Sequence, residues 1–466
     1  MSIDRRRLLK GTAATLAAGL LPGCKQPRTE PQSPVPFQPG KPLPWINWAG
    51  NQHCLPLRRA APATEAELLD ALRTATGTVR ALGAGHSFSA LVPTDDTLIA
   101  TDLLNGLATH DAATLQAEVW SGTRLHDLGP LLAGLGQALP NQPDIDYVAI
   151  GGAIATSAHA SGPRWGSLSA YVRGLALATP AGELLECSAT QNPQVFRAAC
   201  CSLGALGIAT RIRLQNVAAF ALTERNQVER TEEVLEDLPR RMAAHRHFEF
   251  MPLPHTDSCI TIATDEAQAG DSALGQDDPQ AIYAIRQLWE SVAWLPGADR
   301  VYEFLLTRLM GDGGNTVRTG PSYTVLPHPR LARFREMEYT VPVEAGPACV
   351  REVLQAIRTR TRVCFPLEYR VVAPDDIWLS MFEGRAGASI SVHQFGDTDY
   401  RPYFAEIEPI FWKYDGRPHW GKLHTLDAAR LKALYPRHWQ DFMELRRALD
   451  PQGRMLNTHL KTVLEV

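Results

Sequence analysis

The sequence lacks the marks of several large function classes. Forty-six Lys and Arg stand against 50 Asp and Glu, a formal net charge of −4. Outside the extreme N-terminus there is no basic block, so no surface suited to a polyanion is expected and nucleic acid is excluded as a partner. The eight cysteines (24, 54, 187, 200, 201, 259, 349 and 364) include no Cys-x-x-Cys pair and no zinc spacing. They predict neither a metal site nor a disulfide framework. Cys200 and Cys201 sit in an apolar, helix-like run that suits buried thiols. The N-terminal apolar stretch, Gly11 to Leu21, is too short to span a bilayer. A Gly-x-Gly-x-x-Gly loop is also missing, because the one glycine loop that follows a strand has no third glycine.

What is present begins with an address. Asp4 to Lys10 reads Asp-Arg-Arg-Arg-Leu-Leu-Lys, a twin-arginine region, and residues 1–24 are predicted to be an export signal for a protein that folds first. Leu21-Pro-Gly-Cys24 resembles a lipoprotein cleavage box, which would put a lipid anchor on Cys24. The twin-arginine translocase is then a partner, and the destination is the periplasm or the outer face of the membrane. Residues 25–44 are predicted to be a semi-rigid spacer, with seven prolines between Gln26 and Pro44. The remaining length suffices for two or three domains.

Within that body, Thr64 to Thr74 predicts a helix, with Thr64 as cap and Glu67 closing a capping box. A strand from Val79 to Leu82 then enters Gly83-Ala-Gly-His-Ser87. Glycines there let the backbone turn tightly and aim N–H groups at a phosphate, although a plain turn has the same pattern. Gly151 to Gly162 is dominated by small residues, with Thr156, Ser157, His159 and Ser161 interleaved. Such a segment suits a flat group lying on the backbone, or a tight contact between helices. Gly204-Ala-Leu-Gly-Ile208 again marks close backbone approach. The order helix, strand, glycine loop, strand is α+β.

Beyond residue 217 a second domain is predicted. Glu224 to Met242 is expected to include a helix, His247 to Asp257 a strand, Thr264 to Pro279 a solvated acidic loop, and Gln280 to Leu295 an amphipathic helix. Glu368 and Arg370 stand at i and i+2 on an apolar strand and share a face. Buried charge is costly unless paired, so the two form a structural ion pair or present charge to a bound group. His393 lies between apolar neighbours, as a core histidine or a substrate contact. His419-Trp-Gly-Lys422 is a surface turn or part of a site.

Taken in order and spacing, the Gly83, Gly151–Gly162 and Gly204–Ile208 segments resemble the FAD domain of the vanillyl-alcohol-oxidase type. With Glu368-x-Arg370, His419-Trp-Gly-Lys422 and Asp450–Asn457 added, the chain from about Asn47 to Leu460 is similar to the sugar-1,4-lactone and alditol oxidases. The resemblance implies an α+β fold in two parts: an FAD-binding domain at 45–216, and an α+β substrate (cap) domain at 217–415. Residues 416–466 would return to the FAD domain. It implies that Ala81, Leu82, Gly83, Ala84, Gly85, His86 and Ser87 hold the FAD pyrophosphate, and that His86 bonds covalently to the flavin. Gly152, Thr156, Ser157, His159, Ser161 and Gly162, with Gly207 and Ile208, would line the cofactor, and His419 would touch the flavin. Glu368, Arg370, Lys422 and His393 would surround the substrate carbon.

The implied reaction oxidises a CH–OH group of a sugar lactone or polyol, with hydride to flavin N5 and electrons onward to oxygen. A dehydrogenase using a quinone or cytochrome is the alternative. A non-catalytic flavin-binding lipoprotein is a third, against which the Glu368, Arg370 and Lys422 set counts. Ala149 stands where some alditol enzymes carry a serine, which counts against an alditol.

Overall fold

The computed structural model describes residues 39–268, 281–310, 316–328, 332–360 and 363–465. The twin-arginine region, Cys24, most of the proline-rich spacer and residues 269–279 of the predicted acidic loop lie outside the described residues.

The first half is built on two sheets. Thr64 Oγ1 accepts the Glu67 N–H at 3.2 Å, and Glu67 reaches back to the Ala63 N–H at 2.7 Å, which starts helix Glu65–Thr74. The helix buries Leu68, Ala71 and Leu72 in a cluster with Val79, Ile99 and Met455. Val79 and Ile99 belong to a parallel sheet in the order Arg58–Ala60, Thr97–Ala100, Val79–Leu82. A five-stranded antiparallel sheet follows, ordered Leu184–Ser188, Val172–Ala178, Ile208–Gln215, Gln116–Trp120, Leu107–Asp111.

The second half forms one eight-stranded antiparallel sheet. Its order is Thr316–Pro321, Ala221–Arg230, Ser258–Glu266, His247–Pro252, Glu368–Val372, Gly387–Phe395, Phe334–Pro342, Arg417–Pro418. Helices Gly346–Ile357 and Arg401–Lys413 pack on its Phe334–Pro342 strand. Every residue of Glu368–Val372 and Gly387–Phe395 is buried, with polar side chains among them. Those side chains need partners inside the protein.

Two expectations change here. The helix expected from Glu224 is a strand as far as Arg230, paired on both edges, and helices occupy only Thr231–Glu236 and Leu238–Ala244. Two strand partners outweigh local charge patterning. Arg417–Pro418 pairs with Tyr339 and Thr340, so the start of the closing segment belongs to the large sheet. The rest runs back to the first half: the Val79 N–H donates to Arg454 O at 2.8 Å, and Asn457 Nδ2 donates to the carbonyls of Ala90 and Pro93. Each described cysteine is buried and free.

Candidate active site

A cavity of about 1670 Å³, open mouth included, lies between the two halves of the fold. One wall is the loop after Val79–Leu82. Gly85 takes φ +69°, and the Trp48 N–H anchors its carbonyl at 2.8 Å. Among the described residues, none of the N–H groups of Ala84, Gly85, His86 or Ser87 donates to a protein oxygen. Four consecutive free donors on a cavity wall form an anion cradle. Arg80, one turn of the strand earlier, lines the same cavity and is buried. Its guanidinium donates to the carbonyls of Leu91, Leu203, Gly204 and Met455, and no described carboxylate pairs with it. Burial pushes it down to about 9, so its positive charge is uncompensated where the cradle opens.

The floor is short on side chains. A Cβ on Gly152 would meet nothing within 4 Å and would project into the cavity. Gly207 adopts φ +142° with Ala178 O only 2.3 Å from where a Cβ would stand, so only glycine fits. The free donors, the uncompensated cation and the side-chain-free floor fit a dinucleotide with a flat ring system.

His86 stacks on Trp48 at 5.3 Å. Burial, then the charges of Arg124, Arg333 and Lys422, push it down to about 4, so its imidazole is neutral at pH 7.

The opposite wall is charged. Arg370 is buried and held by three carboxylates: Glu249 at 2.5 Å, Glu368 at 2.8 Å and Asp144 at 3.1 Å. They keep it protonated against burial and fix the plane of its fork. Lys422 pairs with buried Glu336 and stays charged for the same reason. Two residues on, Glu338 accepts from His159 Nε2 at 2.6 Å and from Ser391 Oγ at 3.1 Å. His419 Nδ1 accepts the Gly421 N–H at 3.0 Å, so its proton sits on Nε2, and burial pushes the ring down to about 4. This turn is stitched to the glycine loop: the Phe88 N–H donates to Gly421 O at 2.7 Å, and Ser89 Oγ donates to Trp420 O at 2.6 Å.

Of the residues predicted from sequence, Ala81, Gly83, Ala84, Gly85, His86, Ser87, Gly152, Thr156, His159, Gly207, Ile208, His419, Arg370 and Lys422 line this cavity. Others do not. Leu82 is packed instead into a cluster with Trp45, Cys54 and Leu98. Ser157 turns away at φ +55° and donates to Ser380 Oγ at 3.1 Å. The Gly162 N–H donates to Val371 O at 2.7 Å, and Ser161 lines a smaller chamber behind Arg370. Glu368 touches Arg370 rather than the cavity and positions it. His393 stands behind Glu336, with Nε2 at 3.6 Å, and its Nδ1 donates to Pro366 O at 3.0 Å.

Glu336, Glu338, Glu249 and Asp144 escaped the sequence reading. The first two carried a usable signal, since carboxylates at i and i+2 on an apolar strand pose the same burial problem as Glu368 and Arg370.

A family model described as D-arabinono-1,4-lactone oxidase matches residues 212–463, and one described as FAD binding domain matches residues 56–188. The chain belongs to the D-arabinono-1,4-lactone oxidase family. It is 35% identical to L-gulono-1,4-lactone dehydrogenase of Mycobacterium tuberculosis, over 90% of this chain and 99% of that one. It is 29% identical to L-gulonolactone oxidase of Mus musculus, over 90% and 97%. Cholesterol oxidase from B. sterolicum shares the fold, with a TM-score of 0.74 at 16% identity, over 93% of this chain and 100% of that one. Like the family, this chain is an FAD-dependent oxidoreductase, and the cradle, Arg80 and the Gly152 floor have the chemistry that an FAD requires.

Proposed function

We propose that this protein oxidises a CH–OH group of a sugar 1,4-lactone, and that His86 carries its FAD covalently. The observation that carries the reading is that two buried cations, Arg370 and Lys422, both line the FAD cavity. FAD, when bound, supplies the acceptor for the hydride and its two electrons. The chain's own residues bind and orient the lactone. Arg370 offers a rigid, planar fork to ring oxygens, and Lys422 offers a compact point charge to the reacting hydroxyl's oxygen. Both cations favour the alkoxide character that develops as the C–H bond breaks. Asp144, the carboxylate that shares the wall with Arg370, takes the hydroxyl proton. The neutral His86 imidazole, flanked by cations, has the lone pair that a bond to a flavin carbon requires.

Electrons then pass to oxygen. The 35% identity to a dehydrogenase, above the 29% to an oxidase, favours a second reading in which a quinone or cytochrome takes them. The twin-arginine start supports a site of action outside the cytoplasm, and Leu21-Pro-Gly-Cys24 supports a lipid anchor on Cys24. Air, a quinone and cytochrome c offered in turn to enzyme reduced by aldonolactones separate the two readings. Reduction by alditols alone would overturn the lactone assignment.

A further inference from the structure

Behind Arg370 lies a second, much tighter chamber of about 340 Å³, open mouth included, with free room for about one water-sized group. Arg370 and Asp144 line both it and the FAD cavity, so the two spaces share a wall. Two of its side chains each bury one polar atom that has no partner among the described residues. His247 is 3% exposed, and its Nδ1 donates to Ser161 O at 2.8 Å, which leaves Nε2 as a bare acceptor. Gln142 is also 3% exposed, and its Nε2 is a donor with no acceptor among the described residues. An unmade hydrogen bond at a buried group is costly, and such a group in a native fold calls for a ligand or a water.

The two orphans set the ligand's chemistry. One wants a donor and the other an acceptor. A carboxylate offers no donor and an ammonium no acceptor, whereas a hydroxyl offers both. Ile262 and Leu326 also line the chamber, giving apolar contact to the carbon that bears such a hydroxyl.

We propose that the chamber is a specificity subsite for the exocyclic hydroxyl of the sugar lactone. In it, the hydroxyl donates to His247 Nε2 and accepts from Gln142 Nε2. The inference rests on the lactone reading above. It assigns ring recognition to Arg370 and Lys422, and side-chain recognition to His247 and Gln142. A lactone with a hydroxylated side chain satisfies both orphans; a lactone that ends at the ring satisfies neither.

The test compares a hexono-1,4-lactone with a tetrono-1,4-lactone that lacks the exocyclic carbons. Flavin reduction is followed in the absence of air with wild type, Gln142→Leu and His247→Phe. The Gln142 amide nitrogen donates to nothing among the described residues, so its removal breaks no hydrogen bond there, and bound FAD, read from its absorbance, checks each variant. In both variants the lactone concentration that gives half the maximal reduction rate rises about tenfold for the hexonolactone relative to the tetronolactone, the value of one hydrogen-bonded hydroxyl. An unchanged ratio overturns the proposal and leaves a structural water. If His247→Phe loses its FAD, the Gln142→Leu ratio decides alone. A wild type that neither lactone reduces removes the substrate reading itself, and the subsite with it.

Discussion

His159 Nε2 lies 2.6 Å from Glu338 Oε1, while its Nδ1 lies 3.0 Å from the carbonyl oxygen of Ala160. Both ring nitrogens face acceptors, which fixes the plane of the ring on the wall of the FAD cavity. Burial would raise the Glu338 carboxyl, but His159 and then the other basic neighbours hold it well below the ordinary carboxylate range.

Glu338→Gln therefore takes a buried carboxylate away from the two side chains it holds, His159 and Ser391. The expected cost is about 1–3 kcal/mol of folding stability, read by denaturant titration of the holoenzyme. A change below about 0.5 kcal/mol would mean that Glu338 does not hold this wall together.

Arg370 predicts a different outcome for a conservative change. Lysine keeps the charge and loses the fork that meets Glu249, Glu368 and Asp144 together. Arg370→Lys is expected to slow flavin reduction by lactone at least about a hundredfold, the equivalent of roughly 2.7 kcal/mol. Stopped-flow reduction at wild-type rates would remove the fork from the mechanism.

His86→Ala is expected to abolish any covalent adduct. Wild-type protein precipitated with acid stays yellow, and the variant releases its flavin into the supernatant. Flavin released from wild type would sink the linkage.

Asp375 supplies a pH signature. Burial pushes its carboxyl up to about 6, against hydrogen bonds from Ser380 Oγ and the Ile377 N–H. The folded value lies above the unfolded value of about 4. Between those two values the unfolded chain sheds a proton that the folded chain keeps, so stability falls as pH rises through this window and is level above it. Asp375→Asn removes the dependence. From pH 4 to 8 the variant should gain about 3 kcal/mol on wild type, measured by urea unfolding across the range. A pH-independent difference would place Asp375 outside this account.

How much of this was legible before any coordinates depended on sequence distance. Gly83 to Ser87, the small-residue floor and His419 to Lys422 each declare themselves within a few residues, because turns and close approach constrain local chemistry. Arg80 was not legible: one arginine in a short strand gives no hint that four distant carbonyls enclose it. Nor was the acidic wall. Glu249 stands opposite Arg370, and Glu336 opposite His393, through strand register alone, which no single segment encodes. Leu82 and Ser157 were misplaced for the converse reason: adjacency in sequence put them in the motif, and backbone geometry turned their side chains away.

The most direct test is an anaerobic titration of the purified holoenzyme with one aldonolactone, watched at the flavin's visible absorption. One equivalent of lactone per flavin should bleach wild type, while Lys422→Met, with the same flavin content, should stay oxidised over the same interval. A wild type that keeps its absorption across a panel of 1,4-lactones would contradict the account.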